Sequence, residues 1–221
     1  MRKRSHQVAL THLPSEVNAL LPDNLPQPWD SQTLFGRQAP LELEIGSGRG
    51  LFITQAATVQ PEHDFLGIEI SQKYAKHCAI LIAKKQLTNA MMVCGDAQAV
   101  LQNKIPDQSL AAVHIYFPDP WWKRRHRKRR IVCEPVIRLI HQKLIPGGKL
   151  HFWTDVEEYF LAGRQCIAHV PGFDGPIGIV EHVAEHDFDY RTHFERRTRL
   201  HGEPVFRALY EKLPFTSLPD F

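Results

Sequence analysis

The 221-residue chain has no apolar run near the ~20 residues that a membrane-crossing helix needs. Its basic opening, MRKRSHQVALTHLPSE, lacks the apolar core of a secretory leader, so a cytoplasmic location is expected. Cysteine is sparse: Cys78, Cys94, Cys133 and Cys166 are scattered without a CxxC pair, which argues against a disulfide framework and against a zinc cluster. No HExxH motif is present. His182 and His186 stand at the i, i+4 spacing of paired ligands, but only Asp187 and Asp189 accompany them, and no metal is expected. Phosphate-binding signatures are missing as well. A dinucleotide fingerprint would need glycine where Leu51 stands, and no Walker A lysine follows the glycines.

What is present is a regular alternation. LELEI (Leu41 to Ile45) reads as a short strand. It is followed by a turn with Gly46, Gly48 and Gly50, and then by a helix with Leu51, Phe52, Ala56 and Val59 on one face. DFLGIEI, AMMVCG, LAAVHIYF and LHFWTD give four more strands, and EPVFRALYEKL a late one. Helices with apolar steps of three and four residues lie between them. One carries Val136, Ile137, Ile140 and Leu144 and is expected to stop at Pro146-Gly147-Gly148. This rhythm implies an α/β, Rossmann-like, doubly wound, mostly parallel sheet over residues 36–221. Residues 1–35, with four prolines, read as a partly flexible N-terminal arm.

Ligands of open α/β sheets sit beyond the carboxyl ends of the strands. There the sequence places Glu44, Glu69, Asp96 and Asp119, one acid at or after each of four successive strand ends. Glycines 46 and 48 let the backbone approach a ligand closely. Carboxylates would repel a pyrophosphate but suit a ribose, an exocyclic amine and a positive charge. S-adenosyl-L-methionine has all three and no phosphate.

The second concentration is basic. From Lys123 to Arg130 seven of eight residues are Lys or Arg and the eighth is His126; without those seven the formal net charge of +3 would be −4. The run follows Pro118-Asp119-Pro120 and two tryptophans, beside the expected pocket, and that placement favours folded RNA over a generic basic tract. Either Trp121 or Trp122 is a candidate to stack on a base.

LELEIGSGRG, FLGIEIS, CGDA, FPDPWWKRRHRKRR and RTHFERRTRLHG together resemble the bacterial tRNA (guanine-N7)-methyltransferase family over roughly Leu41 to Lys212. The resemblance implies a class I methyltransferase fold with a seven-stranded sheet whose last strand runs antiparallel. It implies methyl transfer to N7 of a guanine in the tRNA variable loop. Glu44, Gly46, Gly48, Glu69, Asp96 and Asp119 would serve the cofactor, Asp119 also being the acid of the reaction site. Lys123, Asp155, Thr192, Phe194 and Glu195 would serve the substrate, and Arg125, His126, Arg127, Lys128, Arg129 and Arg130 would contact RNA. Phe194 stands where many members have tyrosine. Partners are expected to be tRNA and no membrane, with a monomer or homodimer. Two alternatives stay open: a methyltransferase acting on another RNA, a protein or a small molecule, and a tRNA-binding module without catalysis.

Overall fold

Leu41–Ile45 (β1) and Asp64–Glu69 (β2) are buried at every position, as strands covered on both faces must be. The computed structural model describes residues 19–179 and 189–214. It divides into two compact units, the first ending at Pro106 and the second beginning at Asp107.

In the first unit α1 (Ser31–Phe35), β1, α2 (Leu51–Val59), β2, α3 (Gln72–Lys84), β3 (Ala90–Cys94) and α4 (Ala97–Asn103) follow in order. The strands are parallel with β2 between β1 and β3. Every connection passes through a helix, which is the only short route between parallel neighbours. Leu20 adds a bridge to the edge of β3, donating to Met92 O at 3.0 Å and accepting from Cys94 N at 2.8 Å. Trp29 is fully buried. Asp64, with no exposure, holds Arg37 Nε at 2.8 Å and the Ser31 hydroxyl, so α1 is fastened to the start of β2.

The second unit runs β4 (Leu110–Tyr116), α5 (Glu134–Lys143), β5 (Leu144–Thr154), α6 (Glu157–Ala168), β6 (Phe173–Ile177), α7 (His193–Leu200) and β7 (Phe206–Lys212). β4 and β5 are parallel; β7 is antiparallel to β5, and β6 to β7. Among the described residues, seven strands with an antiparallel last strand therefore match the expectation. One boundary does not. α5 stops at Lys143, ahead of Pro146-Gly147-Gly148, and Leu144 already pairs with Leu110. The cause lies in β7: Lys212 Nζ donates to His141 O and Leu144 O at 2.7 Å each, taking carbonyls at the helix end.

Candidate active site

The first unit builds a glycine turn at the carboxyl end of β1. Gly46 N and Ser47 N both donate to Ile68 O, at 2.8 and 3.3 Å, and Gly48 N donates to Glu69 Oε2 at 2.9 Å. Glu69 Oε1 accepts from Ser71 N at 2.8 Å, so this one carboxylate ties the turn to the exit of β2. Gly46 and Gly48 have left-handed φ of +79° and +52°, and no neighbour crowds the Cβ position of Gly46. Gly50 is different: its φ is +78°, and a Cβ there would meet Cys78 Sγ at 2.3 Å. Glycine is required at that point both for conformation and for packing against α3.

Glu44 is 4% exposed. Its Oε2 and the Ser47 hydroxyl have no hydrogen-bond partner among the described residues. Burial pushes the Glu44 carboxyl up to about 8; the Ser47 hydroxyl, near the carboxyl but not in hydrogen-bond geometry with it, opposes the rise only in part, and the Glu69 charge adds to it. A buried acid without a cation beside a bare-backbone turn is a poor site for phosphate and a fitting one for an ammonium. Asp96 Oδ1 accepts from Gln98 N and Ala99 N at 2.8 and 3.2 Å, capping α4 just past β3. Glu44, Glu69 and Asp96 thus lie at the carboxyl ends of three adjacent parallel strands.

In the second unit β4 runs into Phe117, whose φ is +50°, then Pro118-Asp119-Pro120, then Trp121 at +46°. Two bulky aromatics in the left-handed region bracket an exposed Asp119, and such conformations persist only where surrounding contacts over-determine them. Those contacts are visible. Arg130 Nε donates to Pro120 O at 2.7 Å and its guanidinium lies 4.7 Å from the Tyr159 ring centroid. Arg129 lies over Trp121 at 5.0 Å, and His126 meets the same ring edge-on at 5.7 Å.

The basic run is thereby split. Arg124–Arg129 forms a 3-10 helix in which Arg124, Arg125, Lys128 and Arg129 are exposed, as is Lys123 before it; Arg129 nevertheless rests over Trp121, and the partly buried Arg130 braces the corner. The side chain of Arg127 lies outside the described residues. Trp122 is 58% exposed.

α7 carries the remaining expected residues. Thr192 accepts from Glu195 N at 3.0 Å as the N-cap, and Glu195 Oε2 accepts from Arg191 N at 2.7 Å, a capping-box arrangement displaced by one residue. Glu195 is 2% exposed and its Oε1 also takes Arg207 at 3.0 Å and Arg199 at 3.3 Å. Phe194 instead is half-exposed and stacks on Phe117, with centroids 6.2 Å apart and 17° between planes. α7 therefore delivers one aromatic face next to the Asp119 corner. Asp155 follows the end of β5, half-buried. Pattern reading gave no role to Ser47, although it sits inside the glycine turn, or to Phe117, Tyr159, Arg191 and Arg207, whose partners are distant in sequence. His182, His186 and Asp187 lie outside the described residues.

Comparison with known proteins agrees with this architecture. Residues 38–208 match the family described as "Putative methyltransferase". Among solved structures, the antibiotic-resistance methyltransferase Kmr has a TM-score of 0.57 at 16% identity, covering 86% of this chain and 95% of that one. A SAM-dependent O-methyltransferase from Thermotoga maritima has a TM-score of 0.54 at 13% identity, covering 85% and 64%. The fold is that of the class I methyltransferases. A tRNA (guanine-N(7)-)-methyltransferase of Rhodopirellula baltica is 47% identical, covering 86% of this chain and 73% of the relative. One from Alcanivorax borkumensis is 39% identical, covering 82% and 76%. The chain belongs to the tRNA (guanine-N7)-methyltransferase family.

Proposed function

We propose that the chain, in the cytoplasm, transfers a methyl group from S-adenosyl-L-methionine to N7 of a guanine in the tRNA variable loop. Residues 36–221 form the methyltransferase domain and residues 1–35 its arm. The observation that carries the reading is the buried Glu44 carboxyl beside the glycine turn, whose Oε2 has no hydrogen-bond partner among the described residues, in a chain of this family. Glu44, Gly46, Gly48, Glu69 and Asp96 hold the cofactor, and Asp119 is assigned to it as well by likeness to the family. Glu44 faces its cationic portion, and Glu69 keeps the turn in place while retaining lone pairs for ribose hydroxyls.

When bound, S-adenosyl-L-methionine supplies an electrophilic methyl group. Guanine N7 offers an in-plane lone pair and carries no proton, so this chain needs no general base for the attack. Its residues position the acceptor. Asp119 accepts hydrogen bonds from the guanine N1 and N2 groups and opposes the positive charge that methylation leaves on the ring. Phe194, stacked on Phe117, offers a face for the purine. Asp155 and Lys123 contact the nucleotide directly. Thr192 and Glu195 act on the substrate through the α7 terminus that they fix. Arg125, His126, Arg127 and Lys128 grip phosphates, while Arg129 and Arg130 hold the corner that presents Asp119 and keep any RNA contact at their outer edges.

Mapping borohydride/aniline-sensitive guanines in tRNA after incubation with enzyme and cofactor tests the proposal. Cleavage at one variable-loop guanine is expected. Methyl incorporation without aniline-sensitive sites, or none at all, would overturn it.

A further inference from the structure

α3 begins three residues after Glu69 and breaks several rules of helix design at once. Its inner face is apolar, with Ala75, Cys78 and Ile82 buried. Its outer face carries Lys73, Lys76, His77 and Lys84, all exposed, with Lys85 at the C-cap. At about 100° per residue these four side chains fall within an arc of roughly 100°.

No Asp or Glu occurs anywhere from Ile70 to Gly95, although the chain has 24 acids in 221 residues and a stretch of this length would ordinarily hold about three. Lys73 occupies the first turn, the positive end of the helix dipole, where an acid would stabilise and a cation does the reverse. Lys73 and Lys76 are like-signed at i, i+3 spacing, which also weakens a helix. The solvated face of α5 is built otherwise: Glu134 pairs with Arg138 at 2.7 Å. None of Lys73, Lys76, Lys84 and the C-cap Lys85 has an ion-pair partner among the described residues.

A face that keeps one sign at the expense of its own helix is one that meets a polyanion. We infer that the α3 stripe Lys73, Lys76, His77 and Lys84 is a phosphate-contact surface for the tRNA, separate in the chain from the basic run after Asp119. This inference rests on the tRNA reading above. From Lys73 to Lys84 the helix rises about 16 Å, enough to meet several phosphates of one strand.

The test compares the full chain with K73E/K76E/K84E and K73Q/K76Q/K84Q. Filter retention of tRNA is measured across a salt series, S-adenosyl-L-methionine affinity by calorimetry, and thermal melting on the same samples. The Gln variant is expected to flatten the log affinity against log salt plot by about 2 to 3. The Glu variant is expected to lose at least about tenfold in tRNA affinity at low salt. Cofactor affinity and melting should match wild type in both, so misfolding is separable from lost contact. Unchanged affinity and slope in both variants, with wild type binding tRNA normally, would overturn the inference and leave the parent reading intact. A wild-type chain that retains no tRNA would sink the parent reading and this surface with it.

Discussion

Arg130 Nε and the Pro120 carbonyl, 2.7 Å apart, close the basic segment back onto the corner that carries Asp119. The same guanidinium sits over Tyr159, whose hydroxyl accepts from Val132 N at 3.3 Å and whose ring is buried. A flat guanidinium can donate in plane and stack at once; an ammonium cannot do both. Arg130→Ala is expected to lower kcat for tRNA about 10- to 100-fold, the size of effect that a misplaced corner produces. Calorimetric affinity for the cofactor should stay near wild type. Arg130→Lys should recover only part of the loss. A variant that loses tRNA affinity while keeping kcat would show Arg130 to be a phosphate contact and not a brace.

Asp119 separates two roles by kinetics. If it steadies the guanine as charge develops on the ring, Asp119→Asn keeps the shape and removes the charge, and kcat falls by about 10²- to 10³-fold. Affinity for S-adenosyl-L-methionine then changes little. Parallel losses in kcat and cofactor affinity would assign the carboxylate to the cofactor alone.

Glu44 makes stability and function pull in opposite directions. Its carboxyl is raised by burial to about 8, from 4.5. Between those values the folded chain holds a proton that the unfolded chain has released, so Glu44 makes stability fall as pH rises through that window. Glu44→Gln removes the penalty. Its melting temperature should exceed wild type at pH 8.5 and converge with it near pH 4.5. The cationic cofactor favours the charged carboxylate, so binding at pH 7 should release a proton. The calorimetric enthalpy will then vary with the ionisation enthalpy of the buffer in wild type and not in Glu44→Gln. Equal buffer dependence in the two proteins would remove Glu44 from the cofactor site.

Legibility in the sequence followed burial. β4 announced itself because nearly every residue is apolar, and β1 and β2 because short runs rich in Leu, Ile and Phe stop at turn residues; the acids at their ends followed from the strand boundaries. α7 did not: of HFERRTRL only Glu195 and Thr198 are buried, so no apolar stripe existed to be found, and its order comes from a capping box and from Arg207 across on β7. β6, FDGPI, is an edge strand exposed along most of its length, with a proline and a register shift. Trp29 lies among prolines that suggest a linker, yet it is fully buried, and no local period could have shown that. Within the site, the charge count located the basic run, while the division between the turned-in Arg130 and the exposed cations around it depended on a long-range partner, Tyr159.

The tryptophan pair illustrates that division and can be tested through it. Trp121 has φ +46°, with Arg129 over its ring and His126 at its edge, so it organises the 3-10 segment. Trp122, 58% exposed and followed by the exposed Lys123, Arg124 and Arg125, presents a bare ring amid cations, as a base-stacking residue would. Trp122→Ala is expected to leave melting unchanged and to weaken tRNA binding by about 1–3 kcal/mol, the range of one lost stacking contact. Trp121→Ala is expected to lower the melting temperature and kcat together, because the cations it organises lose their platform. Filter binding and melting of the two variants side by side decide the matter: a destabilised Trp122→Ala, or a Trp121→Ala that melts like wild type and loses only RNA affinity, would reverse the assignment.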